Sequence, residues 1–253
     1  MSKTVIKLLM AAAMATATLL TGVQQASAAI ALDRTRIIFG GENHSTSLNL
    51  SNQNRELPYL AQGWIEDDKG NKIESPLMVL PPLQRVEPGG KSQVKIQATP
   101  AVNALPQDHE SLFYFNLREI PPRSEKPNML QIALQTRIKL FFRPAKLQAG
   151  QNGYSGLWQQ KLMLTREGDK YRITNPTPYF VTIVAAQTAQ SREDIASFNP
   201  LMIAPQSSAL LNLSAKALGS SPVLTYINDF GGRPKLIFNC NAATCNVKEN
   251  LPG

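Results

Sequence analysis

Between Met129 and Pro144 the chain alternates large apolar and smaller or polar residues before thickening into an apolar run. Leu130, Ile132 and Leu134 are separated by Gln131 and Ala133, the period of two that sets large side chains on one face of a strand. From Ile138 the pattern becomes Leu140-Phe141-Phe142, as expected of a strand buried on both faces, and Pro144 stops it. One strand is predicted over Leu130–Phe142, with Lys139 at the join between its two halves. On pattern alone, the stripe of Leu130, Ile132 and Leu134 suits a partner's groove and this domain's own core equally.

The rest of the chain after the first 28 residues reads as short β runs punctuated by Pro, Gly and Asn. Strand candidates are Ile30–Phe39, Ser45–Ser51, Tyr59–Glu66, Met78–Leu80, Gln93–Ala98 and Leu112–Glu119. Gly40-Gly41, Asp67-Asp68-Lys69-Gly70-Asn71 and Glu87-Pro88-Gly89-Gly90 mark turns between them. With Leu130–Phe142 this makes seven strands at the spacing of an immunoglobulin-like sandwich, although the Cys–Trp–Cys core of antibody domains is absent. Gln148-Ala149-Gly150-Gln151-Asn152-Gly153 is the best domain boundary. Beyond it the candidates are Lys161–Arg166, Tyr171–Thr174, Phe180–Ala186, Met202–Ala204, Ala209–Leu213, Thr225–Asn228, Pro234–Asn239 and Thr244–Glu249. The expectation is an all-β protein of two sandwich domains, 29–147 and 148–253, since 18 prolines and 15 glycines leave no window for a long amphipathic helix.

The first 28 residues change the compartment. Lys3 and Lys7 precede an apolar run over Leu8–Leu20, and Ala26-Ser27-Ala28 has the A-x-A form of a cleavage site, so residues 1–28 read as a secretory signal. The run falls short of the roughly 20 residues needed to span a bilayer, and no membrane span is expected elsewhere. Loss of Lys3 and Lys7 from the 26 Lys and Arg leaves a net charge near +6. The basic residues are scattered among strand-like ones without a basic run, which argues against nucleic acid and for a solvated surface or a site for carboxylates. Cys240 and Cys245, with four residues between them, are expected to form one disulfide in an oxidising compartment. No metal is expected, because the two histidines, His44 and His109, lie far from both cysteines.

The sequence carries no catalytic constellation: no nucleophile elbow, phosphate-binding loop, zinc-protease motif or dinucleotide fingerprint. Asp67-Asp68 beside Lys69-Gly70 reads as a solvated turn. Trp64 and Trp158 are isolated and read as core. An enzyme is not expected, and no cofactor is implied.

Leu105-Pro106-Gln107-Asp108-His109-Glu110-Ser111-Leu112-Phe113-Tyr114-Phe115-Asn116-Leu117-Arg118-Glu119-Ile120-Pro121-Pro122 closely resembles the signature of the periplasmic pilus chaperones of chaperone–usher systems. Leu32-Asp33-Arg34-Thr35-Arg36 and Ile138–Pro144 resemble it too. Asn175-Pro176-Thr177-Pro178-Tyr179 and Asn228-Asp229-Phe230-Gly231-Gly232-Arg233-Pro234 extend the likeness through the second half. The chain looks most like the P-pilus branch, and His109 departs from the Lys, Arg or Gln usual at its position. The segment Ile120–Asn128 is short and proline-rich, which resembles the subclass with a short loop before the last strand of the first domain.

The resemblance implies a boomerang of two immunoglobulin-like domains that binds pilus subunits in the periplasm and delivers them to an outer-membrane usher. It assigns Arg36 and Lys139 to the subunit's C-terminal carboxylate. Leu130, Ile132 and Leu134 are assigned to the groove that the subunit's missing strand leaves, and Glu110, Arg143 and Asp229 to a charged trio tying the two domains together. The parity of Lys139 is opposite to that of the stripe; a bulge, or a cleft that wraps around the strand, would reconcile them. An exposed strand of this kind also allows self-association. Two other readings compete: a pilus subunit or adhesin, and a secreted carbohydrate-binding sandwich.

Overall fold

The computed structural model describes residues 28–124, 128–148, 157–191 and 193–253. The signal expected at 1–28 therefore lies outside the described residues except for Ala28, as does the boundary stretch from Ala149 onward.

The first domain contains β1 (Ile30–Leu32), β2 (Arg36–Gly40), β3 (Ser45–Asn52), β4 (Tyr59–Glu66), β5 (Lys72–Ile73), β6 (Leu77–Leu80), β7 (Leu83–Val86), β8 (Lys91–Ala98), β9 (Ser111–Ile120) and β10 (Gln135–Arg143). One sheet runs β1-β3-β8-β6, and the other β2-β10-β9-β4-β5 with β7 against β4. Side-chain alternation decides what lies between them. Ile138, Leu140 and Phe142 of β10 point inward beside Phe113, Phe115 and Leu117 of β9 and Ile37 and Phe39 of β2. Leu48, Leu50, Val94, Ile96, Leu77 and Val79 come to meet them from the facing sheet.

The second domain contains β11 (Met163–Glu167), β12 (Lys170–Asn175), β13 (Val181–Thr188), β14 (Leu201–Ile203), β15 (Ser207–Ser214), β16 (Pro222–Ile227), β17 (Lys235–Asn241) and β18 (Thr244–Leu251). They join in the order β14-β13-β16-β17-β18-β11-β12-β15. The sheet folds over a single core in which Ile183, Leu224, Tyr226 and Phe238 from one half meet Leu164, Ile173, Leu211 and Leu213 from the other. Cys240 and Cys245 face each other across β17 and β18 and are disulfide-bonded.

Several expectations need correction. Ile30–Phe39 is two strands in opposite sheets, β1 pairing with β3 and β2 running parallel to β10. The chain changes sheets at Asp33-Arg34-Thr35. There the Asp33 carboxylate binds the Arg34 guanidinium at 2.9 Å and accepts from the Asn49 amide at 2.8 Å, and the Asp33 N–H donates to the Asn49 carbonyl. Lys161 belongs to a 3-10 turn rather than to the strand that follows it. Trp64 is not core: it lies half-buried on the outward face of β4, with the Arg118 guanidinium 5.1 Å from its ring.

The most consequential correction concerns Leu130–Phe142. The ladder begins at Gln135, which pairs with Arg118, and its last rung outward is the Glu119 N–H donating to the Leu134 carbonyl at 3.0 Å. Beyond that point β9 gives way to Pro121-Pro122, which have no N–H to offer. On the other flank β2 starts only at Arg36, opposite Lys139. The stretch Met129–Ala133 thus extends past its neighbours, outside any strand. Leu130 is 83% exposed, Ile132 62% and Leu134 38%. Even-numbered residues from 130 to 142 share one parity, yet those after Thr136 are buried and those before it are bare.

This contrast is measurable. Leu140→Ala is expected to destabilise the free protein by about 2–5 kcal/mol in urea unfolding. Ile132→Ala is expected to stay within about 0.5 kcal/mol of wild type. A comparable loss for both would place Ile132 in the domain's own core.

Candidate functional site

The seam between the domains collects the charged residues singled out from the sequence. β9 begins one residue after Glu110, β10 ends on Arg143, and Asp229 lies in the turn after β16, so each stands where a strand enters or leaves the seam. The Arg143 Nε donates to Glu110 Oε1 at 2.7 Å. Its two terminal nitrogens donate to the two Asp229 oxygens at 2.7 and 3.0 Å. Glu110 Oε2 accepts the Phe180 N–H at 2.8 Å, and the Glu110 N–H donates to the Pro178 carbonyl. One guanidinium fork therefore joins an acid of the first domain to an acid of the second, the bidentate geometry in which arginine binds carboxylates most strongly. Burial pushes the Glu110 carboxyl up, against the pull of Arg143 and the Phe180 amide. Burial also opposes charge on Arg143, but Asp229 and Glu110 outweigh it and hold the guanidinium above its ordinary range.

Aromatic residues close around this pair. The Arg143 guanidinium carbon lies 5.1 Å from the Trp158 ring centroid and 5.0 Å from that of Tyr179, and the two rings stack on each other at 4.4 Å. The Tyr179 hydroxyl donates to the Leu147 carbonyl at 2.7 Å. Phe141 and Phe180 meet across the seam at 5.6 Å. Sequence reasoning missed Trp158 and Tyr179 in this role; their pattern signal was only the Asn-Pro-Thr-Pro-Tyr turn that delivers Tyr179.

Arg36 and Lys139 are brought together beside this lock, as Cα partners on the parallel strands β2 and β10. The register is continuous from Gln135 to Phe142, so no bulge separates Lys139 from the stripe. The parity puzzle resolves simply: even residues of β10 face the first domain's core, while Lys139, Phe141 and Arg143 face the second domain. Arg36 Nη1 donates to the Ile227 carbonyl at 3.0 Å, and Lys139 Nζ to the Thr182 hydroxyl at 3.2 Å. Both partners are neutral. Among the described residues neither cation has a carboxylate within ion-pair distance, and the Arg36 Nε is buried without a hydrogen-bond partner. Burial lowers the Arg36 pKa; burial and the neighbouring Arg36 charge lower that of Lys139 from 10.5 to about 8. Two half-buried cations without an anion make a site whose chemistry asks for one.

The remaining residues lie apart from this pair. Leu130, Ile132 and Leu134 lead away from Lys139 along the same strand direction. The disulfide lies in the β17–β18 hairpin. His109 is at the surface, its Nδ1 2.7 Å from Asp108.

Arg143→Ala is expected to cost about 3–5 kcal/mol, because Glu110 would be left buried and unpaired; thermal or urea unfolding measures this. Lys139 is expected to titrate near pH 8 in an NMR titration of the folded protein, and Arg36→Ala to move that midpoint upward. The sign for stability follows: between about pH 8 and 10.5 the unfolded chain binds more protons at Lys139 than the folded one, so this group makes the fold more stable as pH rises across that window. A midpoint unmoved by Arg36→Ala would show that the two cations do not share a site.

Comparison with known proteins gives the chain its place. Residues 29–148 match the N-terminal domain model of the PapD pili and flagellar-assembly chaperones, and residues 157–238 match the C-terminal domain model of the PapD pili-assembly chaperones. The chain is 52% identical over 224 residues to the probable fimbrial chaperone YfcS of Escherichia coli K12, covering 88% of each chain. It is 49% identical over 228 residues to the Escherichia coli chaperone protein PapD, covering 90% of this chain and 93% of that one. The crystal structure of the periplasmic chaperone SfaE is 29% identical and superposes with a TM-score of 0.64 over 82% of this chain and 98% of its own. On these grounds the chain belongs to the PapD-like family of pilus-assembly chaperones.

Proposed function

We propose that this protein is a non-enzymatic periplasmic chaperone that binds pilus subunits, completes their fold with its own strand and passes them to an outer-membrane usher. Residues 1–28 direct export, 29–147 form the domain that lends the strand, and 148–253 form the second wall of the site. The observation that carries this reading is the pair Arg36 and Lys139, two half-buried cations paired only with neutral groups.

The orientation of a client follows from the sheet. β2 occupies one flank of β10 from Lys139 onward and leaves that flank open over Gln135–Ile138 and the stretch before it. A client strand filling the open flank in line with β2, and running the same way, ends where β2 begins. Its C-terminal carboxylate then meets Arg36 and Lys139, with charge-assisted hydrogen bonds of about 1.5–3 kcal/mol each. The carboxylate fixes the register, and a slip of one residue would turn every apolar anchor to the wrong face. Leu130, Ile132 and Leu134 then lose their exposure in the client's groove, contributing about 1.5–3 kcal/mol each before ordering costs. Glu110, Arg143 and Asp229 hold the two walls of the site in place.

The test is co-purification from periplasmic extract of tagged wild type beside Arg36→Ala, Lys139→Ala and Leu134→Glu. A pilin-sized protein is expected with wild type and with none of the folded variants. Wild-type capture by Arg36→Ala and Lys139→Ala would remove the carboxylate anchor; wild-type capture by Leu134→Glu would remove the donor strand.

A further inference from the structure

Phe230 is 96% exposed, the barest large apolar side chain among the described residues. It is not bare because its loop is loose. Asn228 Oδ1 accepts the N–H groups of Phe230 and Gly232 at 3.0 and 2.8 Å, and the Asn228 N–H donates to the Gly232 carbonyl at 3.1 Å. Asp229, one residue before Phe230, is the residue bonded twice to Arg143. Gly231, one residue after, has φ +85°, and a Cβ there would lie 2.7 Å from the Thr35 hydroxyl oxygen of the first domain. The loop is therefore pressed onto the corner between β1 and β2 and pinned on both sides of Phe230. A rigid loop that holds an aromatic ring in water gives up the free energy its burial would supply.

The ring stands over a defined place. Phe230 lines an open pocket of about 390 Å³ together with Thr35, Arg36, Ile38 and Asp229. The charges of Asp33 and Arg34 at its rim neutralise each other at 2.9 Å. Asp229 has both carboxylate oxygens bonded to Arg143, and beside it and Thr35 stands an apolar wall, Phe230 and Ile38, next to the cation whose Nε lacks a partner. A chain terminus supplies both halves of that pattern, a carboxylate and a side chain carried on the same α-carbon.

We propose that Phe230 forms the apolar wall of a pocket for the side chain of the client's last residue, so that this protein favours clients ending in a large apolar or aromatic residue. The proposal rests on the reading that Arg36 and Lys139 take the client's carboxylate. It adds a contact from the second domain to a recognition otherwise supplied by the first.

Binding of short alternating-apolar peptides to the full mature chain, followed by fluorescence anisotropy, separates the two ideas. Three peptides differ only at the end: free-acid Phe, free-acid Gly and Phe amide. Wild type is expected to bind the Phe acid about tenfold tighter than the Gly acid. Phe230→Ala is expected to equalise the two without weakening the Gly acid, and Phe230→Trp to keep the preference. Discrimination that survives in Phe230→Ala, or is absent from wild type, overturns the role of Phe230. Equal binding of acid and amide, no dependence on Arg36, or no binding of either acid by wild type overturns the carboxylate reading instead.

Discussion

The fork of Arg143 between Glu110 and Asp229 is the contact on which the rest of the site depends. It is a buried ion pair, which is poor evidence for stability on its own because desolvation offsets most of the Coulomb gain. Its value here is positional. Glu110 also binds the Phe180 amide, and Trp158 and Tyr179 pack against the guanidinium, so the fork fixes both distance and direction between the domains. Fixing them places the Ile227 carbonyl and the Thr182 hydroxyl against Arg36 and Lys139. The cations belong to one domain, but their restraints belong to the other.

β10 shows how one strand carries several tasks by parity. Its even residues fill the first domain's core, and its odd residues build the seam, from Lys139 through Phe141 to Arg143. Immediately upstream the same even parity continues into Leu134, Ile132 and Leu130, where the domain no longer covers it. The change from core to bare stripe reflects neighbours rather than composition. β9 runs into prolines on one flank and β2 stops at Arg36 on the other, so the apolar face continues while its cover ends.

The sequence showed much of this, and its failures are physical. Alternation and turn residues mark the two sandwiches and most strands, and the motif likeness singles out Arg36 and Lys139, which the fold makes neighbours, and Glu110 and Asp229, which bond Arg143. Alternation does not say whether a stripe has a cover, which is why Leu130–Phe142 read as one strand. It likewise merged β1 and β2, because a chain that crosses between sheets keeps its apolar rhythm; only Asp33, bonded to Arg34 and Asn49, marks the crossing. The two-residue β5 and the four-residue β7 are too short to declare a period. Ile227 contributes a carbonyl and Phe180 an N–H, and backbone groups leave no trace in side-chain identity. Trp64 differs for a related reason: an aromatic on an outward face can be half covered by neighbouring polar side chains, here with Arg118 over its ring and Glu66 on its indole N–H.

The crossing of contacts between domains also bears on the order in which the chain emerges. The apolar stripe from Leu130 to Leu134 is made before residue 135, whereas the groups that restrain the cations and close the fork come from Phe180, Thr182, Ile227 and Asp229. A nascent copy delivered from its N-terminus therefore bares its apolar stripe nearly a hundred residues before the neighbouring site has its full set of contacts. For that length of synthesis the bare stripe is present without the two restrained cations that lie beside it in the finished fold.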